Sequence, residues 1–162
     1  MIHEALADAE PQAAARGLAI VNAVSGAATD LPYWGDEARV RQILVNLLSN
    51  ATKFTEPGGR ITVSGGTGET VTGAELAGPG PWVYVRVEDT GRGIPQERLQ
   101  AIFEPYQQSQ ADDQFRGGGL GLAISRHLAR LMGGDLTVQS EVGAGSTFTL
   151  WLLIAPSEPV PR

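Results

Sequence analysis

The stretch NLLSNATKFT, residues 46 to 55, places Asn46 and Asn50 four residues apart, with Lys53 three further on. Asparagine is a mediocre helix former and a poor core residue. On a helix turning about 100° per residue, Arg39, Gln42, Asn46, Asn50 and Lys53 fall within an arc of roughly 80°. The opposite side carries Val40, Ile43, Leu44, Leu47, Leu48 and Ala51. A merely solvated face would favour Glu, Lys and Arg, which suit a helix better. Two asparagines in register instead present carbonyl oxygens and amide donors, with a cation one turn on. That chemistry suits a hydrated divalent cation carrying phosphates. Magnesium keeps several waters and takes one or two protein oxygens, and a lysine beside it neutralises phosphate charge.

Two further stretches point the same way. DTGRGIP (89 to 95) puts the carboxylate of Asp89 at the end of an alternating strand, then Gly91 and Gly93, where backbone can approach a ligand closely. GGGLGLAIS (117 to 125) sets glycines directly before an amphipathic helix, whose exposed N–H groups form an anion site. Neither G-x-x-x-x-G-K-[ST] nor a G-x-G-x-x-G between strand and helix occurs, so these phosphates call for a different ATP fold.

Elements of definite kinds must hold these residues. Residues 2 to 16 read as a helix with a potential break at Pro11, and residues 17 to 24 as a strand, followed by a loop through Leu31-Pro32. Asp36 is the expected N-cap of the asparagine helix, which runs to about Lys53. RITVS (60 to 64) and WVYVRVED (82 to 89) alternate apolar and polar residues as half-buried antiparallel strands do. The glycine-rich segment between them reads as a flexible connection. IPQERLQAIFEPY (94 to 106) reads as a short helix and its exit, and residues 119 to 132 as a second amphipathic helix ended by Gly133-Gly134. GDLTVQSEV and GSTFTLWLLI close the chain as a hairpin in which Phe148, Leu150 and Leu152 share a face, and residues 155 to 162 as a disordered tail. The expected architecture is α+β: a two-layer sandwich with a mixed, mostly antiparallel sheet covered on one face by helices.

Composition narrows the function. The 162 residues suffice for one domain with a proper core. A net charge of −6 argues against a nucleic-acid surface. The absence of cysteine excludes disulfides and thiolate metal sites. No apolar run of about 18 residues is present to span a membrane, and the N-terminus lacks the layout of a signal peptide.

Together, in order and spacing, these motifs resemble the catalytic and ATP-binding domain of sensor histidine kinases, of the superfamily that includes gyrase, mismatch-repair and chaperone ATPases. RVRQILVNLLSNATKFTEPGGRITV resembles the asparagine box, DTGRGI the first glycine box, IFEPY the phenylalanine box, and GGGLGLAIS the second glycine box. The resemblance covers roughly residues 1 to 154 and implies two-component signal transduction with ATP and Mg²⁺ as cofactors. It implies that Asn50 is the magnesium ligand, that Lys53 contacts phosphate and that Asn46 supports the same face. It places Phe54 beside the nucleotide and makes Asp89 the acceptor of the adenine amino group, with Gly91, Gly93 and Ile94 in its loop. Residues 107 to 118 would form a lid, with Arg116, Gly117, Gly118, Gly119, Leu120 and Gly121 at its phosphate end.

The chain departs from the family where G-G-T-G-L-G-L is usual. Arg116 stands at the first glycine and Gly118 at the threonine, so a hydroxyl is lost and a guanidinium added. The only histidines are His3 and His127, and neither suits a phosphoacceptor. The resemblance therefore implies a partner: a dimerising phosphoacceptor domain of the parent kinase, outside this chain, and beyond it a response regulator receiver domain. It implies a cytoplasmic domain, monomeric when isolated, with no nucleic-acid or membrane contact of its own, whether or not the parent is membrane-anchored. Two other functions compete: an ATP-hydrolysing conformational switch, and a nucleotide-binding regulatory module without phosphoryl transfer. Hydrolysing relatives tend to carry a glutamate at the position of Asn46, an amide that is a poor general base.

Overall fold

The asparagine helix begins at its expected cap. In a computed structural model, which describes residues 2–23, 33–68, 82–104 and 121–154, the Asp36 carboxylate accepts the amides of Ala38 (2.9 Å) and Arg39 (3.4 Å). It thereby satisfies two of the free donors at a helix start. Helix α2 then runs from Glu37 to Phe54. Asp36→Ala should cost about 1 kcal/mol, read by thermal denaturation as a fall in melting temperature of about 3 °C.

Helix α1 (Ile2–Ala15) lies against α2, tied by Arg41 to Glu4 (3.4 Å) and Asp8 (2.8 Å). Pro11 does not break it. One proline forfeits a single hydrogen bond, while burial of Ala5, Leu6, Ala9 and Ala13 holds both halves to the core. The strands are β1 (Ala19–Asn22), β2 (Tyr33–Trp34), β3 (Arg60–Gly68), β4 (Trp82–Asp89), β5 (Asp135–Glu141) and β6 (Gly145–Ile154). β1 pairs with β3 in parallel, and every other pairing is antiparallel, in the order β1-β3-β4-β6, with β5 and β2 both on the far side of β6. Helix α3 (Gly121–Leu131) completes the helical layer.

The core lies between that layer and one sheet face. Val40, Ile43, Leu44, Leu47, Leu48 and Ala51 of α2 meet Ile61, Val63, Val83, Val85, Val87, Phe148, Leu150 and Leu152, all buried. This is the α+β two-layer arrangement, covered by helices on one face. Gly133 (φ +86°) turns the chain at the end of α3, and the Gly134 amide reaches back to the Ala129 carbonyl (2.9 Å) in a Schellman-type cap.

Three elements differ from the sequence reading. β3 continues through Gly65, Gly66 and Gly68, which had read as flexible connection. Gly66 stands opposite Tyr84, whose ring a side chain on Gly66 would crowd. Tyr84 also packs on Trp151 (centroids 5.7 Å apart), so aromatic contact on the outer face replaces what glycine cannot supply. The remainder of that connection, residues 69–81, lies outside the described residues, as do the expected lid and tail. The short helix expected over 94 to 106 is instead two 3₁₀ turns, Gln96–Arg98 and Ala101–Phe103. Arg126 of α3 stacks on the Phe103 ring (4.3 Å), holding the second turn against α3. β2 was not foreseen: at two residues it owes its existence to its partner β6 and has no pattern of its own.

Candidate functional site

The C-terminal half of α2 is more enclosed than its polar face suggests. Arg39, Gln42 and Lys53 are exposed, Asn46 is half-buried, and Asn50 is only 6% exposed. The Asn46 amide donates to the Ser125 hydroxyl (3.0 Å) and the Gly121 carbonyl (3.4 Å), both on α3. Asn46 thus fastens the two helices together where the second glycine box ends. Asn50, one turn on, finds no hydrogen-bond partner among the described residues, although buried amides are nearly always paired. Among the described residues nothing competes with a ligand for its carbonyl oxygen. No group of three or more His, Cys, Asp or Glu able to hold a metal occurs among the described residues. A cation here would depend on Asn50, water and ligand oxygens, the donor set that magnesium accepts.

The exit of α2 meets the first glycine box. A side chain on Gly91 would overlap the Phe54 carbonyl, so absence of a Cβ lets the two segments touch. Arg16, at the end of α1, donates to the carbonyls of Thr55 (3.1 Å) and Lys53 (3.5 Å). It supplies a cation to the negative end of α2 and fixes the backbone that carries Lys53 and Phe54.

Asp89 ends β4 on the helix-covered face. Its Oδ1 accepts the amides of Gly91 (2.8 Å) and Ser146 (3.3 Å). Its Oδ2 makes no hydrogen bond to a described residue. Burial pushes the Asp89 carboxyl above its ordinary value, and the two amide bonds oppose that rise. Gly93 (φ +80°) lets the loop turn beside the Glu141 carbonyl, where a Cβ would overlap. The buried Ile94 donates its amide to the Ser140 hydroxyl (2.7 Å).

The structure therefore groups Asn46, Asn50 and Gly121 on one side, and Phe54, Asp89, Gly91, Gly93 and Ile94 on the other, with α2 linking them. Arg116, Gly117, Gly118, Gly119 and Leu120 lie outside the described residues. His127 is exposed on α3. Sequence reasoning missed Arg16, Ser125, Ser140 and Ser146, whose partners lie 37 or more positions away or across a hairpin; no local pattern marks them. A cleft of about 440 Å³ at this end of the sheet includes Asp89 and Ser146, but its charged wall of Arg60 and Glu88 belongs to the strand face turned away from the helices.

The chain has counterparts among known proteins. The model of the family described as "Histidine kinase-, DNA gyrase B-, and HSP90-like ATPase" matches residues 35–156. The chain is 48% identical over 125 residues to the aerobic respiration control sensor protein ArcB of Escherichia coli, covering 75% of this chain and 14% of that protein. It is 42% identical over 135 residues to the circadian input-output histidine kinase CikA of Synechococcus elongatus, covering 80% and 16%. It thus spans a small part of either relative. Among solved structures, full-length ShkA in complex with AMPPNP superposes with a TM-score of 0.75 at 32% identity, over 98% of this chain and 30% of that one.

Proposed function

The chain belongs to the histidine kinase-, DNA gyrase B- and HSP90-like ATPase family, and on that premise we propose that it is the ATP-binding half of a histidine autokinase. It binds Mg·ATP and presents the γ-phosphoryl group to a histidine on a separate dimerisation domain. The observation that carries this reading is a pair of groups on either side of the α2 exit, the buried Asn50 and the half-buried Asp89, each with an acceptor that no described residue uses. Asp89 Oδ2 accepts the adenine amino group, Phe54 lies beside the base, and Gly91, Gly93 and Ile94 shape the loop beneath it. Lys53 neutralises phosphate charge, and residues 116 to 121 contribute to the phosphate end of the site. Asn50 would hold the magnesium ion, which would supply neutralisation of phosphate charge.

In the transfer, the bond from the γ-phosphorus to the β–γ bridging oxygen breaks, a bond to the imidazole nitrogen forms, and ADP leaves. Such chemistry rests on positioning and charge neutralisation. Residues 1 to 154 form this domain, with 155 to 162 as a tail, and it acts as a cytoplasmic monomer until it meets the phosphoacceptor domain. A response regulator receiver domain is the eventual recipient. The similarity to ArcB and CikA, both named as sensor or histidine kinase proteins, supports that assignment. Among the described residues no helix is long and apolar enough to cross a membrane.

The reading is tested by calorimetric titration with AMPPNP. Binding should be strong with Mg²⁺ and weak without it. No binding in either condition would overturn it in favour of a regulatory module. A hydrolysing switch is disfavoured because Asn46 stands where a water-activating carboxylate would be, with its amide already committed to Ser125 and Gly121. ATP hydrolysis by the chain alone should be slow or undetectable. Sustained turnover that disappears in Asn50→Ala would reverse this conclusion.

A further inference from the structure

At the end of the sheet that carries Asp89, the helix-covered face changes character. The cross-strand row of Val87, Phe148 and Val138 is apolar, whereas the next row on the same face is Asp89, Ser146 and Ser140. Polar groups in such a place must find partners, and Ser140 supplies most of them. Its hydroxyl lies 2.7 Å from the Ile94 amide, 3.0 Å from the Gly145 carbonyl and 2.7 Å from the Ser146 hydroxyl.

A serine hydroxyl has one proton and two lone pairs. The Ile94 amide must donate to Ser140, and the Gly145 carbonyl can only accept. All three contacts are hydrogen bonds only if Ser140 gives its proton to Gly145 and Ser146 gives its own to Ser140. This assignment pins Ser146 on both sides. Its hydroxyl proton points at Ser140, and its main-chain amide points at Asp89 Oδ1 (3.3 Å). The glycines reinforce the same contact. A Cβ on Gly145 would overlap the Asp89 carbonyl, and one on Gly93 would overlap that of Glu141.

We infer that Ser140 is a positioning residue for base recognition: through Ser146 and Ile94 it clamps the β5–β6 hairpin onto the loop 89 to 94, holding Asp89 with Oδ1 occupied and Oδ2 open. Ser140 itself touches no nucleotide. The inference rests on the reading of Asp89 as the adenine acceptor.

The test compares wild-type chain, Ser140→Ala and Ser140→Thr by calorimetry with Mg·AMPPNP, and with magnesium tripolyphosphate, which carries no base. Ser140→Ala should weaken AMPPNP by about tenfold, the usual scale for a lost hydrogen bond in a partly buried network, and leave tripolyphosphate unchanged. Ser140→Thr, which keeps the hydroxyl and suits a strand, should restore AMPPNP affinity. Should Ser140→Ala not fold, Ser140→Cys, near in size with only a weak donor, takes its place. Equal AMPPNP affinity in Ser140→Ala and wild type overturns the inference. So does an equal loss for AMPPNP and tripolyphosphate, which would mean general support of the fold. If the wild-type chain fails to bind AMPPNP, the underlying reading of Asp89 fails instead.

Discussion

Asn50→Ala should weaken Mg·AMPPNP by about 100-fold, or about 2.8 kcal/mol at 1.4 kcal/mol per decade, while leaving the empty chain at least as stable as before. Both halves follow from the surroundings of Asn50. Its side chain is 6% exposed yet has no hydrogen-bond partner among the described residues, so alanine there breaks no bond to any of them. Alanine is also the better helix former, by up to about 0.6 kcal/mol. What it removes is the one neutral oxygen that α2 offers to a cation at that depth. Calorimetry should therefore show wild type without Mg²⁺ behaving like the variant with it, and thermal denaturation should show no loss. A variant that bound normally would remove Asn50 from the cation site. A variant that lost binding only by melting would make its role structural.

That combination, a residue unfavourable to the fold and required by the ligand, explains what could be read from the sequence. Where local and global demands agree, the chain is legible. Asp36 caps α2 because its carboxylate reaches two amides within three residues, and Gly133 ends α3 because only glycine readily takes φ +86°. The apolar stripe of α2 and the alternation in β4 mark the core directly. Asn46, Asn50 and Asp89 stand out for the opposite reason, as poor choices for the places they occupy. The remainder depends on contacts remote in sequence. Asn50 reads from the sequence as a ligand on a polar helix face, and its enclosure becomes visible only once α3 lies across α2, joined through Asn46 and Ser125. β3 runs on through Gly66 and Gly68 beside Tyr84 of β4, which in turn packs on Trp151 of β6. Ser140 and Ser146 resemble ordinary strand serines until the hairpin folds them onto Asp89.

Asp89→Asn makes the same argument with opposite signs for stability and binding. Burial raises the Asp89 carboxyl pKa above that of the unfolded chain, despite the amides of Gly91 and Ser146. The folded state therefore holds the proton more tightly than the unfolded one. The stability this provides is fully present below the ordinary value of 3.8 and is lost as the pH rises through the elevated folded value. At neutral pH the wild-type chain carries the cost of a partly buried charge, and asparagine does not. Parallel melts from about pH 4 to about pH 7 should show Asp89→Asn gaining on wild type as the pH rises, and the other carboxylates cancel in the difference. Binding should move the other way. The Gly91 and Ser146 amides require an acceptor at the Oδ1 position, so the new carboxamide must turn its NH₂ group to where Oδ2 was. A donor would then face the adenine amino group, itself a donor, and AMPPNP affinity should fall by about 100-fold, at least as much as a buried unpaired polar pair costs. In wild type, affinity should decline on acidification through the raised carboxyl value, and in Asp89→Asn it should be flat over that range. A variant more stable than wild type at neutral pH and blind to AMPPNP would assign the buried charge to base recognition; a variant that bound normally would remove Asp89 from it.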